Sequence, residues 1–543
     1  MIYRNPINYI NQFFSIFSNE LKKIYLNSNI YNNRISKFYN NNFEYRPSAN
    51  LLNCLLKYEK KKINIENYAL DSIWTNKKIN QKDYKKLHSF FWLFSLDLKS
   101  SKKKTQTTII NWINTNNKYN HKSWEFDTTS KRVISWLSNS KLTYEESNPE
   151  YRDAFNKIIH KQTNHLINQI GKFELIDNKM IGCAAIILVG LSYRNKNNYL
   201  NFGISLLKKI IRVSFNNDGF PKSRNIRQLI FYLKYFVLIR EWLKESQNQI
   251  PDYLDEIIYY LGQFYCFLWQ NIKVDLLFNG NHKSNNLDFD NYLNKLGYKF
   301  KNKNKESGGY VILENKKISL IMDIGASPEK KFSNNYQSGA LSFEIISNSK
   351  KLISNCGYFQ NFKHKLNELS KSTATHSTLV IDNCSSCRFE KTSSLNSSVQ
   401  TRLKIIKKNI VHEKNYWKIN AAHDGYLNKY GTIHERVIEF YPEQMKFVGT
   451  DKLDLKNNNK NINFDIRFHL EPNIKTTKTQ DNKTILIELG NEGWKFNCDN
   501  FDINIDNGLY FGKKNSFIEN QNIFISGMTN STNQIIKWEI TKL

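Results

Sequence analysis

The chain has 543 residues, more than one hydrophobic core usually organises, so two or three domains are expected. It is 40% hydrophobic and 14% aromatic, which excludes an intrinsically disordered chain. The net charge of +30 favours a polyanionic partner: nucleic acid, an anionic membrane surface or an acidic polysaccharide. Lysine is spread along the whole chain, however, so solvated surface explains each Lys run equally well.

The N-terminal half shows helical periodicity, with apolar residues at three- and four-residue steps and few Gly or Pro up to about residue 290. Ile109–Ile113, Arg132–Leu137 and Leu229–Arg240 are the clearest examples. The longest apolar run, Met180–Tyr193, is shorter than the roughly 18 residues that a membrane span needs, so it predicts a buried helix. The start, Met1–Pro6, lacks the pattern of a secretory signal, which leaves a cytoplasmic location open.

A polar, Gly-containing stretch between about 275 and 310 predicts a domain boundary, and the hydrophobic period then changes to two. Short strands are predicted at the following segments: Tyr310–Leu313, Ile318–Asp323, Leu341–Ile346, Lys351–Ser354, Thr378–Asp382, Arg436–Phe440, Phe464–Leu470 and Ile485–Leu489. These observations predict a helical domain over residues 1–290 and an antiparallel β-sandwich over residues 291–543.

Cysteine usage excludes a disulfide framework, because seven scattered residues are odd in number. Cys384 and Cys387 form one C-x-x-C without a second pair, which disfavours a zinc ribbon. They are an incidental pair or a local disulfide. Nucleic acid is also disfavoured as a partner, because no Lys run alternates with aromatics and no zinc-finger or RNA-binding signature occurs.

Several ordered motifs occur in both halves of the chain. In the C-terminal half these are Ser338–Glu344, Leu352–Gly357, Thr373–Asp382, Ala422–Tyr426 and Gly431–Arg436, and in the helical half they are Trp124–Trp136 and Asp218–Asn225. Together they resemble the heparinase II/III family of polysaccharide lyases. The resemblance implies an incomplete α/α toroid followed by an antiparallel β-sandwich, with an acidic polysaccharide as partner. It also implies a cell-envelope or periplasmic location.

The reaction implied is β-elimination, in which a base removes the proton next to a uronate carboxylate and the 4-linked sugar leaves. Such chemistry needs a group that neutralises the carboxylate, a base, and an acid for the leaving oxygen. A hydrolase would instead need paired carboxylates, and no such pair stands out.

The resemblance implies four catalytic candidates. His376 falls on a family histidine that serves metal or substrate, and Asn178 falls on an asparagine that can neutralise a carboxylate. Arg224 follows a Gly-Phe-Pro turn and suits a carboxylate or sulfate, and Tyr426 offers a phenol. The alternatives are a structural histidine, an Asn that caps the helix through Met180, an ion pair at a helix start, and a core phenol.

The substrate-binding candidates are His423, His434, Gln228 and Gln337. Gln228 stands where catalytic relatives place a tyrosine, and Lys179 stands where they place a histidine. Gln337 and Asn355 replace two family metal ligands, so no cofactor is expected and a zinc site is doubtful. His165 is interpreted as structural.

Two functions therefore compete: a lyase of acidic polysaccharides, and a non-catalytic glycan-binding or envelope scaffold protein of the same fold. The substituted positions Lys179, Gln228, Gln337 and Asn355 favour the second.

Overall fold

The computed structural model describes residues 17–543 except 19, 38–42, 50, 53–73, 75–78, 97–99, 173–175, 194–197, 285, 363, 392–396, 456–460, 514–515 and 530–532. Met1–Pro6 and Cys54 lie outside the described residues. The chain divides into two compact units. A helical unit comprises Met1–Ser214, Tyr232–Ile258 and Asn291–Leu296. A β-sandwich unit comprises Phe215–Phe231, Tyr259–Asp290 and Gly297–Leu543.

The boundary predicted at residue 290 lies close to residue 296, after which the chain stays in the β-sandwich unit. Two earlier segments also belong to the β-sandwich unit. Their hydrogen bonds explain why. Arg224 donates to the carbonyl of Gly308, and the Leu277 amide donates to the Glu344 carboxylate at 3.2 Å. Partners so distant along the chain leave no local signal in the sequence.

The helices carry the periodic segments predicted from the sequence. In the described residues the α-helices include Asn29–Ile35, Gln81–Ser89, Lys102–Asn116, Phe126–Ser138, Ser140–Thr143, Pro149–Ile170, Ile176–Ser192, Tyr199–Ser214, Ile226–Glu245, Asp252–Tyr265, Leu287–Lys295, Lys365–Ser370 and Leu427–Tyr430. Shorter helical turns lie at Phe91–Ser95, Cys266–Gln270, Lys330–Phe332 and Thr373–Thr375.

Local chemistry sets the start of the longest of these helices. Pro149 occupies its first turn, and the Asn148 side chain accepts from the Tyr151 amide at 2.8 Å. The apolar run from Met180 forms part of a buried helix, Ile176–Ser192, as predicted. No helix in the described part of the chain is both long and apolar enough to cross a membrane.

Nineteen strands occur in the described residues, all paired antiparallel. They are β1 Glu306–Ser307, β2 Tyr310–Glu314, β3 Ile318–Asp323, β4 Phe343–Ser347, β5 Lys350–Ile353, β6 Leu379–Ile381, β7 Phe389–Lys391, β8 Ser397–Val399, β9 Ile405–His412, β10 Trp417–His423, β11 Thr432–Tyr441, β12 Lys446–Leu455, β13 Asn463–His469, β14 Lys475–Lys478, β15 Thr484–Leu489, β16 Glu492–Asn497, β17 Ile503–Tyr510, β18 Ile518–Met528 and β19 Gln534–Lys542.

These strands form sheets that pack face to face. The largest has the order β14-β15-β16-β19-β12-β11-β10-β9, and the others are β1-β2-β3-β4-β5, β17-β18-β13-β6 and β7-β8. Phe343 of β4 stacks on Trp538 of β19 with ring centroids 5.5 Å apart, and Phe468 of β13 meets the same indole at 4.9 Å. Since these rings come from three sheets, one apolar core holds the sandwich together. The predicted helical domain and β-sandwich are confirmed.

Candidate functional site

His376 lies between the helical turn Thr373–Thr375 and strand β6, and it is buried. Its Nδ1 lies 2.9 Å from the Ser372 carbonyl oxygen, which can only accept, so Nδ1 carries the proton. Its Nε2 has no hydrogen-bond partner among the described residues. Burial lowers the pKa of His376 to about 4. The imidazole is therefore neutral near pH 7, with a lone pair on Nε2.

Gly339 packs on the ring of His376. A β-carbon built at Gly339 would lie 2.5 Å from Cδ2 and 3.0 Å from Nε2 of His376, so any side chain here would displace the imidazole. Glycine is therefore required at this position of the Ser338–Glu344 motif, because a side chain would occupy the space of the histidine ring.

Two amide side chains hydrogen-bond to backbone groups of the segment that carries this histidine. Gln337 is buried, accepts from the Gly280 amide at 2.9 Å, and donates to the carbonyls of Gly357 and Ser370. Asn355 accepts from the amide of Ser377 at 2.9 Å, and its Nδ2 has no partner among the described residues. We call Gln337, Asn355 and His376 the amide–histidine cluster.

The amide–histidine cluster does not fit a zinc ion. Each amide oxygen is already bonded to a backbone N–H, and only Nε2 of His376 offers an unengaged lone pair. Zinc needs three or four N, S or carboxylate ligands. Across the described ranges, no group of three or more His, Cys, Asp or Glu side chains is placed to hold a metal.

Arg224 is buried in an ion pair rather than presented to solvent. Its Nη2 donates to Asp323 Oδ1 at 2.7 Å, and its remaining N–H groups donate to carbonyls. Those acceptors are Gly308, Gly309, Gly325 and Ala326. All five donors of a guanidinium are thus directed at protein atoms. This arrangement favours the ion-pair alternative over the predicted carboxylate clamp.

Gln228 and Asn225 lie at the start of the helix Ile226–Glu245. Gln228 accepts from the Ser223 hydroxyl, and Asn225 Oδ1 accepts from the Gln228 amide at 3.1 Å. Asn225 is buried, and its Nδ2 has no partner in the described part of the chain. The sequence reasoning missed Asn225, although it closes the Asp218–Asn225 motif.

A chain of hydrogen bonds connects this helix start to the amide–histidine cluster. The Asn279 amide donates to Asp323 at 2.9 Å and to the Tyr310 hydroxyl at 2.6 Å. Tyr310 in turn donates to the Arg224 carbonyl, and Gly280, next to Asn279, donates to Gln337. Arg224, Gln337 and His376 therefore belong to one continuous polar region of the β-sandwich unit.

Tyr426, His423 and His434 lie in the interior of the sandwich. The Tyr426 hydroxyl donates to the Leu379 carbonyl at 3.1 Å, and all three side chains are buried. His434 lies 2.7 Å from Asp451 through Nε2 and 3.3 Å from His423 through Nδ1. These contacts favour core hydrogen bonding over the predicted roles in catalysis and substrate binding.

The helical unit contains the remaining candidates. Asn178 is half-buried in the first turn of the helix Ile176–Ser192. That helix begins two residues earlier, so the capping alternative for Asn178 is wrong, and its role toward a carboxylate stays a prediction. His165 is buried and bonded to the Tyr31 hydroxyl at 2.8 Å, as expected of a structural histidine.

The β-sandwich unit also contains a cavity of about 760 Å³. Arg224 and the carbonyl-bearing glycines that it binds form part of its wall. Amide side chains contribute elsewhere, at Asn216, Gln263, Asn302 and Asn304, together with Phe332 and Arg402. Amides both donate and accept, which suits the hydroxyl groups of a sugar.

Solved structures share this combination of a helical domain and a β-sandwich. A structure titled heparinase III matches with 14% identity and a TM-score of 0.67, covering 95% of this chain and 89% of that chain. The heparan sulfate lyase HepC from Pedobacter heparinus matches with 12% identity and a TM-score of 0.64, covering 94% and 85%. The heparinase III BT4657 gene product matches with 14% identity and a TM-score of 0.67, covering 91% and 83%. Curated proteins gave no match.

The fold is therefore that of polysaccharide lyase structures. Residues 301–539 match the family model described as "Heparinase II/III-like, C-terminal", so this part of the chain is a heparinase II/III-like C-terminal domain. The resemblance inferred from the motifs is confirmed. The matched range includes the whole amide–histidine cluster.

Proposed function

We propose that this protein cleaves an acidic, uronate-containing polysaccharide by β-elimination. The observation that carries the proposal is the unengaged Nε2 of buried, neutral His376 within a heparinase II/III-like domain. A buried acceptor without a partner costs about 1–3 kcal/mol. The lone pair is the group that proton abstraction requires.

In the proposed step, one imidazole both removes a proton and returns it. Nε2 of His376 takes the proton next to the uronate carboxylate, the electron pair forms the C=C bond, and the bond to the 4-linked oxygen breaks. The protonated imidazole then returns the proton to the leaving oxygen. Asn178 of the helical unit stays a separate proposal as a group that hydrogen-bonds a carboxylate. The amide oxygens of the cluster accept from backbone N–H groups, so the proposal assigns no metal.

The test is the ultraviolet absorbance of the unsaturated uronate product, measured with a panel of sulfated and unsulfated uronate polymers. We expect His376→Ala to lower kcat by about 10²–10⁴-fold, the usual contribution of a positioned general base. His121→Ala, which changes an exposed histidine, is the matched control and should keep full activity. Absence of product from every polymer, with a folded protein, contradicts the proposal.

A second candidate function is non-catalytic binding of an acidic glycan. Gln228 favours it, because an amide at the tyrosine position of catalytic relatives cannot transfer a proton, and its oxygen is occupied by Ser223. Binding of the same polymers without product, measured by calorimetry, would select this function. In either case we propose a cell-envelope or periplasmic location, where such polymers occur.

A further inference from the structure

A second cavity in the β-sandwich unit, of about 350 Å³, lies beside the short helix Leu427–Tyr430. Its wall includes Cys384, Arg388, Arg402, Asp424 and Lys429. His376 and the two amides of its cluster are not part of this wall. The cavity is therefore separate from the proposed catalytic histidine.

The charges around this cavity are mostly positive. Arg388, Arg402 and Lys429 are exposed, and neither guanidinium forms an ion pair with a described residue. Arg402 donates one long hydrogen bond, of 3.4 Å, to the Ser327 carbonyl. Its other N–H groups have no hydrogen-bond partner among the described residues. The carboxylate in the wall, Asp424, accepts from the Lys404 amide at 2.7 Å. Two guanidinium groups in one cavity wall, without carboxylate partners among the described residues, suit a bidentate anion.

The contacts of the Cys384 thiol are consistent with this positive environment. Lys429 Nζ lies 2.9 Å from Cys384 Sγ and 4.8 Å from the centroid of the Tyr430 ring. Burial by itself would raise the pKa of the thiol, but the hydrogen bonds from Lys429 and Tyr430 outweigh it and lower that pKa. The surroundings thus stabilise negative charge on a group of the protein itself.

Arg402 also belongs to the wall of the 760 Å³ cavity, so its guanidinium stands at the border of both spaces. The wall of the larger cavity also contains the amides of Asn302 and Gln263 and the ring of Phe332. A saccharide chain has the matching chemistry, since its acidic group can meet the arginines while neighbouring hydroxyls meet the amides.

We propose that these two cavities form a secondary binding surface for an acidic oligosaccharide, with an anionic group held between Arg388 and Arg402. The choice of a saccharide as ligand rests on the proposed function. His376 is in the wall of neither cavity. The surface therefore contributes to the affinity for long chains without taking part in the chemical step.

The experiment uses the full chain carrying His376→Ala, so that bound oligosaccharide is not consumed. Calorimetry with a size series of sulfated and unsulfated uronate oligosaccharides compares this protein with the same protein carrying Arg388→Gln and Arg402→Gln. We expect at least a tenfold loss of affinity for the longest oligosaccharides and a weaker salt dependence. The two series show whether sulfate or carboxylate is the preferred anion.

The matched control removes two exposed charges elsewhere, Lys475→Gln with Lys537→Gln, and should leave the affinity unchanged. The alkylation rate of Cys384, followed by peptide mass spectrometry, gives a local readout, because bound oligosaccharide should protect this thiol. The single variants Arg388→Gln and Arg402→Gln, checked by circular dichroism, guard against misfolding of the double variant.

The outcomes separate this inference from the catalytic proposal. Arginine-dependent binding without turnover in the native protein supports the surface and contradicts lyase activity. The proposed binding surface is wrong if the native protein cleaves the polymer while the arginine variants keep their affinity for long chains. It is also wrong if bound oligosaccharide does not protect Cys384. Neither result contradicts the catalytic proposal.

Discussion

Arg436 forms a bidentate pair with Asp451 inside the β-sandwich, where both side chains are fully buried. Nε lies 2.8 Å from Oδ1, and Nη2 lies 3.1 Å from Oδ2. The remaining Nη1 donates to the carbonyls of Ser377 and Leu341 at 2.8 and 3.0 Å. Because Ser377 directly follows His376, and Leu341 has a left-handed backbone with φ 59°, this pair fixes the segments that hold the imidazole.

We therefore expect Asp451→Asn to lower the free energy of unfolding by about 3–5 kcal/mol, because it leaves the Arg436 charge buried without its counter-ion. Urea denaturation measures the loss. Asp451→Leu combined with Arg436→Met removes both charges and should recover part of it. If the single variant keeps native stability, the pair does not hold the interior as described.

Stability should also decrease in mild acid, because buried histidines cannot be protonated without cost. Burial lowers the pKa of His376 to about 4 and that of His469 to about 3, below the roughly 6.5 of an unfolded chain. With the folded pKa depressed, the contribution is complete above pH 6.5 and is lost as the pH falls toward 4.

Each such histidine adds up to about 1.4 kcal/mol per pH unit to the slope of stability against pH. Urea denaturation at pH 7.5, 6 and 5 measures that slope, and His469→Gln should reduce it. An exposed histidine supplies the comparison, since His121→Gln should leave the slope as it is. A stability that does not change between pH 7.5 and 5 would contradict the burial of these side chains.

Substitution of Arg224 distinguishes its two interpretations, a structural ion pair and a substrate clamp. Because its guanidinium donates to Asp323 and four carbonyls, we expect Arg224→Ala to destabilise the protein by about 3–5 kcal/mol. Arg224→Lys should rescue little, since one ammonium cannot reproduce the planar set of donors. A folded Arg224→Ala protein with native stability and a raised KM would instead favour the substrate clamp.

The domain classes were predictable from the sequence because helices and strands leave their period in it, and Ile318–Asp323 is a strand with the predicted bounds. Strand β4, in contrast, begins at Phe343 rather than at Leu341, because Leu341 is turned into the left-handed region. The hydrophobic period of a sequence cannot reveal the turn at Leu341, whose carbonyl accepts a hydrogen bond from buried Arg436 of β11.

The candidate site was predictable only in part. The motif around His376 located the buried, unengaged imidazole. The partner of Arg224 lies 99 residues away at Asp323, so no local pattern distinguished an ion pair from a substrate clamp. His423 and His434 were named from a matching motif, and only the fold shows that they share a buried hydrogen-bond chain with Asp451.

The contact between Lys429 and Cys384 gives a final prediction that needs no substrate. At neutral pH Cys384 should react with iodoacetamide faster than an ordinary thiol, because the neighbouring amine lowers its pKa and increases the thiolate fraction. Lys429→Met removes that hydrogen bond, so the pH profile of alkylation should move to higher pH. Lys446→Met, which changes a lysine of strand β12, should leave the profile where it is. An identical profile in Lys429→Met would show that the ammonium does not stabilise negative charge at this cavity.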